Sequence, residues 1–264
     1  MLKKLLLIIF TLTIGVTLMA NTNQKKKLVF IPAFMTTEKL YEEQIKEFSK
    51  DYDITVILIK DFDNIQAESE HVYTTLKTKY STTFNDDKFY MAGTSMGGMI
   101  LMEFMRKYQN KVAQLALLNT NFNAPTPDSK KAQESYIAWA QSVKDSEFIA
   151  LNDDILKMFI HNITPANKQK VYDMANSLGR ITFINQNKLL LGRNDYSKDF
   201  STYKVKTLVL GGEYDIIDPI ALQQQMFNAL PNGLGQLVII KNSAHFSTID
   251  NPNDVNIALK KWLN

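Results

Sequence analysis

The segment Gly93-Thr94-Ser95-Met96-Gly97 constrains this chain more than any other, because of what flanks it. Residues 88–92 (KFYMA) before it read as a short strand, and residues 98–108 (GMILMEFMRKY) after it carry apolar side chains at helical spacing. Strand, G-x-S-x-G, helix is the context in which a serine sits on a turn sharp enough to strain its backbone and expose its hydroxyl. The residues two positions to either side can then carry no bulk, which accounts for both glycines.

A serine of this kind needs a base and an orienting acid, and both follow downstream. Residues 207–215 (TLVLGGEYD) read as a buried strand running into a loop that ends on Asp215. Residues 237–245 (LVIIKNSAH) read as a second buried strand followed by a loop carrying His245. The order Ser, Asp, His differs from those of the chymotrypsin-like and subtilisin-like proteases. Each member stands just past the C-terminal end of an expected strand, the edge at which open parallel sheets bind ligands.

Strands are expected at 28–31, 54–59, 88–92, 112–119, 207–210 and 236–240. Helical patterns fall at 38–50, 66–80, 96–108, 219–230 and 253–263. Alternation of this kind predicts βαβ units, an α/β fold and a mainly parallel sheet of about six strands. Residues 121–204 break the alternation with amphipathic helical pattern and no convincing strand, after the turn-rich 121–129 (NFNAPTPDS). An insertion at this point reads as a helical cap. Tyr136, Trp139, Phe148, Phe159, Tyr172 and Phe183 stud it, some to pack the cap and others to line an acyl or alkyl pocket.

With these motifs in register the chain resembles the α/β-hydrolase superfamily, specifically its esterase-like single-domain members. Residues 28–45 (LVFIPAFMTTEKLYEEQI) resemble the family's first core strand and oxyanion loop, with Ala33 where glycine is usual. Residues 190–219 resemble the return from the cap into the acid strand, and residues 243–252 (SAHFSTIDNP) the histidine loop. The resemblance implies an oxyanion hole built from the backbone N–H groups of Phe34 and Met96. It also picks out Arg193 and Asp195, expected here as a structural ion pair. With almost nothing ahead of residue 28 once a leader is removed, the antiparallel strands that open many family members are expected to be missing or stubs.

Composition excludes other classes. The chain of 264 residues has a net charge of only +3, which argues against a nucleic-acid partner. It has no cysteine, which removes disulfides, thiolate chemistry, Cys-ligated metal and a lipid-bearing N-terminus together. Lys3 and Lys4 followed by the uncharged, largely apolar stretch 5–19 and the polar stretch 21–27 read as a signal peptide over residues 1–20, hence an exported protein. The alternative is an uncleaved N-terminal membrane anchor. The folded domain is then residues 21–264.

Ser95 is therefore the expected nucleophile, His245 the base and later acid, and Asp215 the orienting acid. Glu213 and Asp218 are rivals for the last role; Asp218, directly before Pro219 and a helical pattern, suits an N-cap better. The expected activity is cleavage of a small-molecule carboxylic ester or related acyl bond through an acyl-enzyme, with no cofactor and no metal. A non-catalytic small-molecule-binding protein of the same fold, and an acyltransferase using the same triad, are the alternatives.

Overall fold

The computed structural model describes residues 25–264; the expected leader lies outside the described residues. Six strands form one sheet, β1 (Lys26–Ile31), β2 (Tyr52–Val56), β3 (Phe89–Thr94), β4 (Val112–Leu118), β5 (Thr207–Gly212) and β6 (Gly235–Ile240). Their order is β2-β1-β3-β4-β5-β6, and every pair is parallel. This is an α/β-hydrolase sheet. All six C-terminal strand ends consequently lie along one edge.

The strand sequences are near-continuous apolar runs because both faces of the sheet are covered. Alternation divides them between two cores. Leu28 and Phe30 of β1, Ala116 and Leu118 of β4, and Leu208 and Leu210 of β5 face one side. Val29, Ile31, Leu115, Leu117 and Val209 face the other. The first core is closed by α1 (Glu42–Phe48), the single turn α8 (Ser247–Asp250) and α9 (Pro252–Leu263), the second by α2 (Ile65–Lys79), α3 (Met96–Tyr108) and α7 (Ile220–Ala229).

Two expected elements differ. The helical pattern at 38–50 divides into a 3-10 turn, Glu38–Tyr41, and α1. The second strand begins and ends earlier than expected. Ile57 and Ile59, though buried, lie beyond it as irregular backbone, with Ile57 N–H donating to the Phe30 carbonyl (3.0 Å). Buried apolar residues in irregular backbone look the same as a strand in sequence.

Between β4 and β5 the chain leaves the sheet for three helices, α4 (Pro127–Ser142), α5 (Asp153–Phe159) and α6 (Pro165–Leu191). Thr126 and Thr164 cap α4 and α6 by accepting from Ser129 N–H and Asn167 N–H, each with proline in the first turn. Gly179, with φ +74°, interrupts α6. Buried residues of this segment, among them Leu156, Val171, Met174 and Phe183, are continuous with the first core. The excursion therefore packs against the α1/α9 side, with Leu189 of α6 reaching the other core.

One buried group works against the fold. Glu68 lies on the inner face of α2 with Ile65, Val72 and Leu76, and its carboxylate has no side-chain hydrogen-bond partner among the described residues. Burial, with Asp61 nearby, pushes its carboxyl from 4.5 up to about 8. The folded state holds a proton that the unfolded chain releases, so this group favours folding most below pH 4.5, and that contribution is lost as pH rises toward 8. Glu68→Gln is expected to raise the unfolding free energy at pH 7 by about 3 kcal/mol and to flatten its decline between pH 5 and 8. Urea titrations across that range check both.

Candidate active site

The elbow is forced by close backbone approach. Ser95 has φ +52° and ψ −118°, a region costing a non-glycine residue about 1–3 kcal/mol. It stays there because the chain on either side is clamped. A Cβ on Gly97 would lie 2.1 Å from the Ile31 carbonyl oxygen, and one on Gly93 would lie 2.5 Å from the Gly97 carbonyl carbon. Ser95 N–H donates to the Leu118 carbonyl (2.9 Å), and Thr120 Oγ1 donates to the Ser95 carbonyl (2.7 Å). The serine is thereby held between β1 and β4 at the C-terminal edge of the sheet, at the start of α3.

The structure brings Ser95, His245 and Asp215 together. His245 Nε2 lies 2.8 Å from Ser95 Oγ, and His245 Nδ1 lies 2.9 and 3.1 Å from the two Asp215 oxygens. The carboxylate fixes the imidazole proton on Nδ1 and leaves Nε2 to accept from the serine. Asp215 is itself held: Oδ1 accepts from the N–H groups of Ile217 (3.0 Å) and Asp218 (2.9 Å), and Oδ2 from Asn119 Nδ2 (3.0 Å). Glu213, by contrast, points outward and pairs with Lys241.

All three groups are nearly sealed from water, at 9% (Ser95), 4% (Asp215) and 1% (His245) exposure. Burial pulls the imidazole pKa down, but the Asp215 charge, its hydrogen bond and the nearby Asp218 outweigh it and hold His245 above its usual value. Burial raises the Asp215 carboxyl, and the histidine with the surrounding donors more than offsets this, so it lies below the usual carboxylate range.

The loop after β1 approaches from the other side. The N–H groups of Phe34 and Met96 make no hydrogen bond among the described residues. Ala33 needs no glycine conformation, because the positive φ of this loop falls at Met35 (+50°). Gln186, on α6, accepts from Met35 N–H (2.7 Å) and donates to the Ile59 carbonyl, tying the loop to the excursion.

Two cavities meet at the site. One of about 370 Å³ is lined by Ser95, His245, Asn121, Arg193 and Asp218, among others. The second, about 540 Å³, is walled by Tyr136, Trp139, Ile155, Met158 and Phe183. Phe34, Phe159, Leu190 and Ile217 border both. Of the other aromatics singled out in the sequence, Phe148 packs on Trp139 and Phe183, and Tyr172 bonds Asp153 instead of lining this space.

Two sequence expectations are corrected here. Asp218 does not cap α7; Pro219 holds that position without a side-chain bond, and the Asp218 carboxylate turns inward to accept from Asn121 Nδ2 (2.6 Å). Arg193 and Asp195 form no ion pair. Arg193 points into the site wall and donates to the carbonyls of Asn123 (3.1 Å) and Leu190 (3.0 Å), the latter in the last turn of α6. Asp195 turns the other way, to Ser197 N–H and Oγ.

Other residues of the site were given no role by the sequence, although Asp250 lies within the histidine-loop motif. Asn119, with φ +45°, orients Asp215 from the end of β4. Asp250 accepts from Ala244 N–H (2.8 Å), His161 N–H (2.9 Å) and Asn162 N–H (2.8 Å), joining the histidine loop to the residues after α5. An asparagine at a strand end, a residue type that tolerates positive φ, is the hint the sequence offered for Asn119.

A family model described as serine aminopeptidase, S33, matches residues 56–251. No curated protein matches the chain. Similar solved structures include a thermophilic esterase from Thermogutta terrifontis with malate bound, 20% identical, TM-score 0.78, covering 91% of this chain and 90% of that one. They also include the enol-lactonase from Burkholderia xenovorans LB400, 15% identical, TM-score 0.78, covering 91% and 92%. MenH from S. aureus is 15% identical, with TM-score 0.76 over 93% and 97%. At such identities the likeness is one of fold.

The electrostatics of the trio are open to a direct check. In an NMR pH titration the His245 imidazole is expected to titrate above about 6.5. In Asp215→Asn the main opposing charge is gone and burial dominates, so the midpoint is expected to fall below that value. A midpoint that does not fall would contradict the balance described.

Proposed function

Because the chain belongs to the serine aminopeptidase S33 family of α/β-hydrolases, we propose that it is a serine hydrolase acting on carboxylic esters of small molecules through an acyl-enzyme. The observation that carries this reading is the continuous hydrogen-bonded line from Ser95 Oγ through His245 to Asp215. A serine hydroxyl is a poor nucleophile until a positioned base removes its proton.

In this mechanism Ser95 Oγ attacks the substrate carbonyl as His245 Nε2 takes its proton. The Asp215 carboxylate stabilises the resulting imidazolium without taking the proton itself. The carbonyl oxygen becomes an oxyanion that accepts from the N–H groups of Phe34 and Met96, which are otherwise unpaired among the described residues. A donor so placed is worth about 3 kcal/mol in the transition state. His245 then returns the proton to the leaving oxygen, the alcohol departs, and water repeats the sequence on the acyl-enzyme with His245 again as base.

The excursion between β4 and β5 acts as a cap in this reading, and the 540 Å³ cavity beneath it takes the acyl chain. Its walls of Trp139, Ile155, Met158 and Phe183 favour hydrocarbon, at about 0.8 kcal/mol for each methylene removed from water. The esterase and enol-lactonase among the structural neighbours are in keeping with acyl-bond cleavage on this fold. The leader expected at residues 1–20 makes export part of the same proposal.

Hydrolysis of p-nitrophenyl esters from acetate to palmitate, wild type beside Ser95→Ala, tests the reading. Expected is turnover with an optimum at intermediate chain length and a loss of at least about 10³-fold in kcat in the variant. Turnover that survives in Ser95→Ala would overturn the serine mechanism. A folded protein that cleaves no ester would favour the ligand-binding alternative, and product diverted to an added alcohol would favour the acyltransferase.

A further inference from the structure

The smaller cavity holds a carboxylate that takes no direct part in the mechanism, though its charge is felt by His245. Asp218 is 2% exposed, and its backbone and side chain are fixed from three directions. Its N–H donates to Asp215 Oδ1, its carbonyl accepts from Gln223 Nε2 (3.1 Å), and its Oδ1 accepts from Asn121 Nδ2. Its second oxygen, Oδ2, has no hydrogen-bond partner among the described residues. Arg193 lines the same cavity, yet it spends its hydrogen bonds on Asn123 and Leu190 and makes no ion pair with Asp218. A buried carboxylate oxygen with no partner is costly, and such groups in a ligand cavity call for a partner from the ligand.

Resting on the hydrolase reading, we infer that Asp218 is a specificity-determining acceptor for a hydrogen-bond donor, a hydroxyl or an ammonium, carried on the alcohol side of the ester.

The side follows from the placement of the base. His245 must protonate the leaving oxygen, so the departing alcohol lies in the cavity that His245 lines. Asp218 lines that cavity too, and neither residue borders the larger apolar one. Burial raises the Asp218 carboxyl to about 6 against the opposing pull of His245 and Arg193, so it remains ionised at neutral pH. An alcohol ending in a methyl group would bury that oxygen against hydrocarbon, whereas a hydroxyl in its place supplies the missing bond. Sites built to hydrogen-bond a substrate hydroxyl discriminate strongly against the analogue that lacks it. The substrate class is thus an ester joining an apolar acid to a short diol, polyol or amino alcohol.

Two isosteric ester pairs test this: 2-hydroxyethyl against n-propyl hexanoate, and 3-hydroxypropyl against n-butyl hexanoate. Within each pair only OH replaces CH₃. With rates normalised to hydroxide-catalysed hydrolysis, the wild type is expected to favour the hydroxylated ester by about 10-fold or more in kcat/KM in at least one pair. Asp218→Asn is expected to reduce that ratio at least about 5-fold, chiefly through KM for the hydroxylated ester. Equal rates within both pairs in the wild type would overturn the inference and leave the hydrolase standing, without reliance on any variant. Asp218→Asn lowering both members of a pair equally would make Asp218 structural only, and would also overturn it. Failure of the wild type to cleave any hexanoate ester, p-nitrophenyl hexanoate included, would instead remove the hydrolase reading and this inference with it.

Discussion

The site depends on one backbone conformation, that of Ser95 at φ +52°. Left to itself the residue would relax into an ordinary turn and its hydroxyl would swing away from the sheet edge. It cannot, because β1 passes so close beneath the start of α3 that Gly97 has no room for a methyl group. Leu118 at the end of β4 and Thr120 just beyond it complete the clamp. The same close approach brings the loop after β1 alongside the elbow, so the N–H groups of Phe34 and Met96 belong to one local arrangement. Packing stabilises the strained turn, and the turn in turn fixes where the Ser95 hydroxyl stands.

Around that point the charges are arranged in a fixed hierarchy. Asp215 is held by two backbone N–H groups and Asn119 as well as by His245, so it stays ionised and immobile. Asp250 does for the histidine loop what Asn119 does for the acid, and it does so by reaching across to the residues after α5. Gln186 does the same for the loop after β1 from α6. The helical excursion is therefore bonded to two of the loops that carry the site, so its position and the geometry of the site are mechanically linked.

Much of this was legible in the amino-acid sequence, for identifiable reasons. Strands β3, β5 and β6 announce themselves because they are short apolar runs ending in turn residues, and the elbow because only glycine fits beside it. Ser95, Asp215 and His245 stand one after another past strand ends, which a linear reading can see. Asn119, Gln186 and Asp250 could not be assigned their roles that way, because each makes bonds to groups far along the chain. Asp218 and Arg193 were misplaced for a related reason. A carboxylate before proline looks like a helix cap and neighbouring opposite charges look like a pair, yet burial in a shared cavity wall gave each a different partner. Local pattern carries the fold; the polar groups of the site wall are decided by tertiary contact.

The central claim is that Ser95 is a nucleophile activated by its surroundings. Incubation with a fluorophosphonate, followed by intact-mass measurement and peptide mapping, tests it most directly, since ordinary serines do not react. The account predicts one adduct per chain, located on Ser95, and slow or no labelling once His245 is replaced by alanine. A folded wild-type protein that takes up no label, or takes it up on another serine, would contradict it.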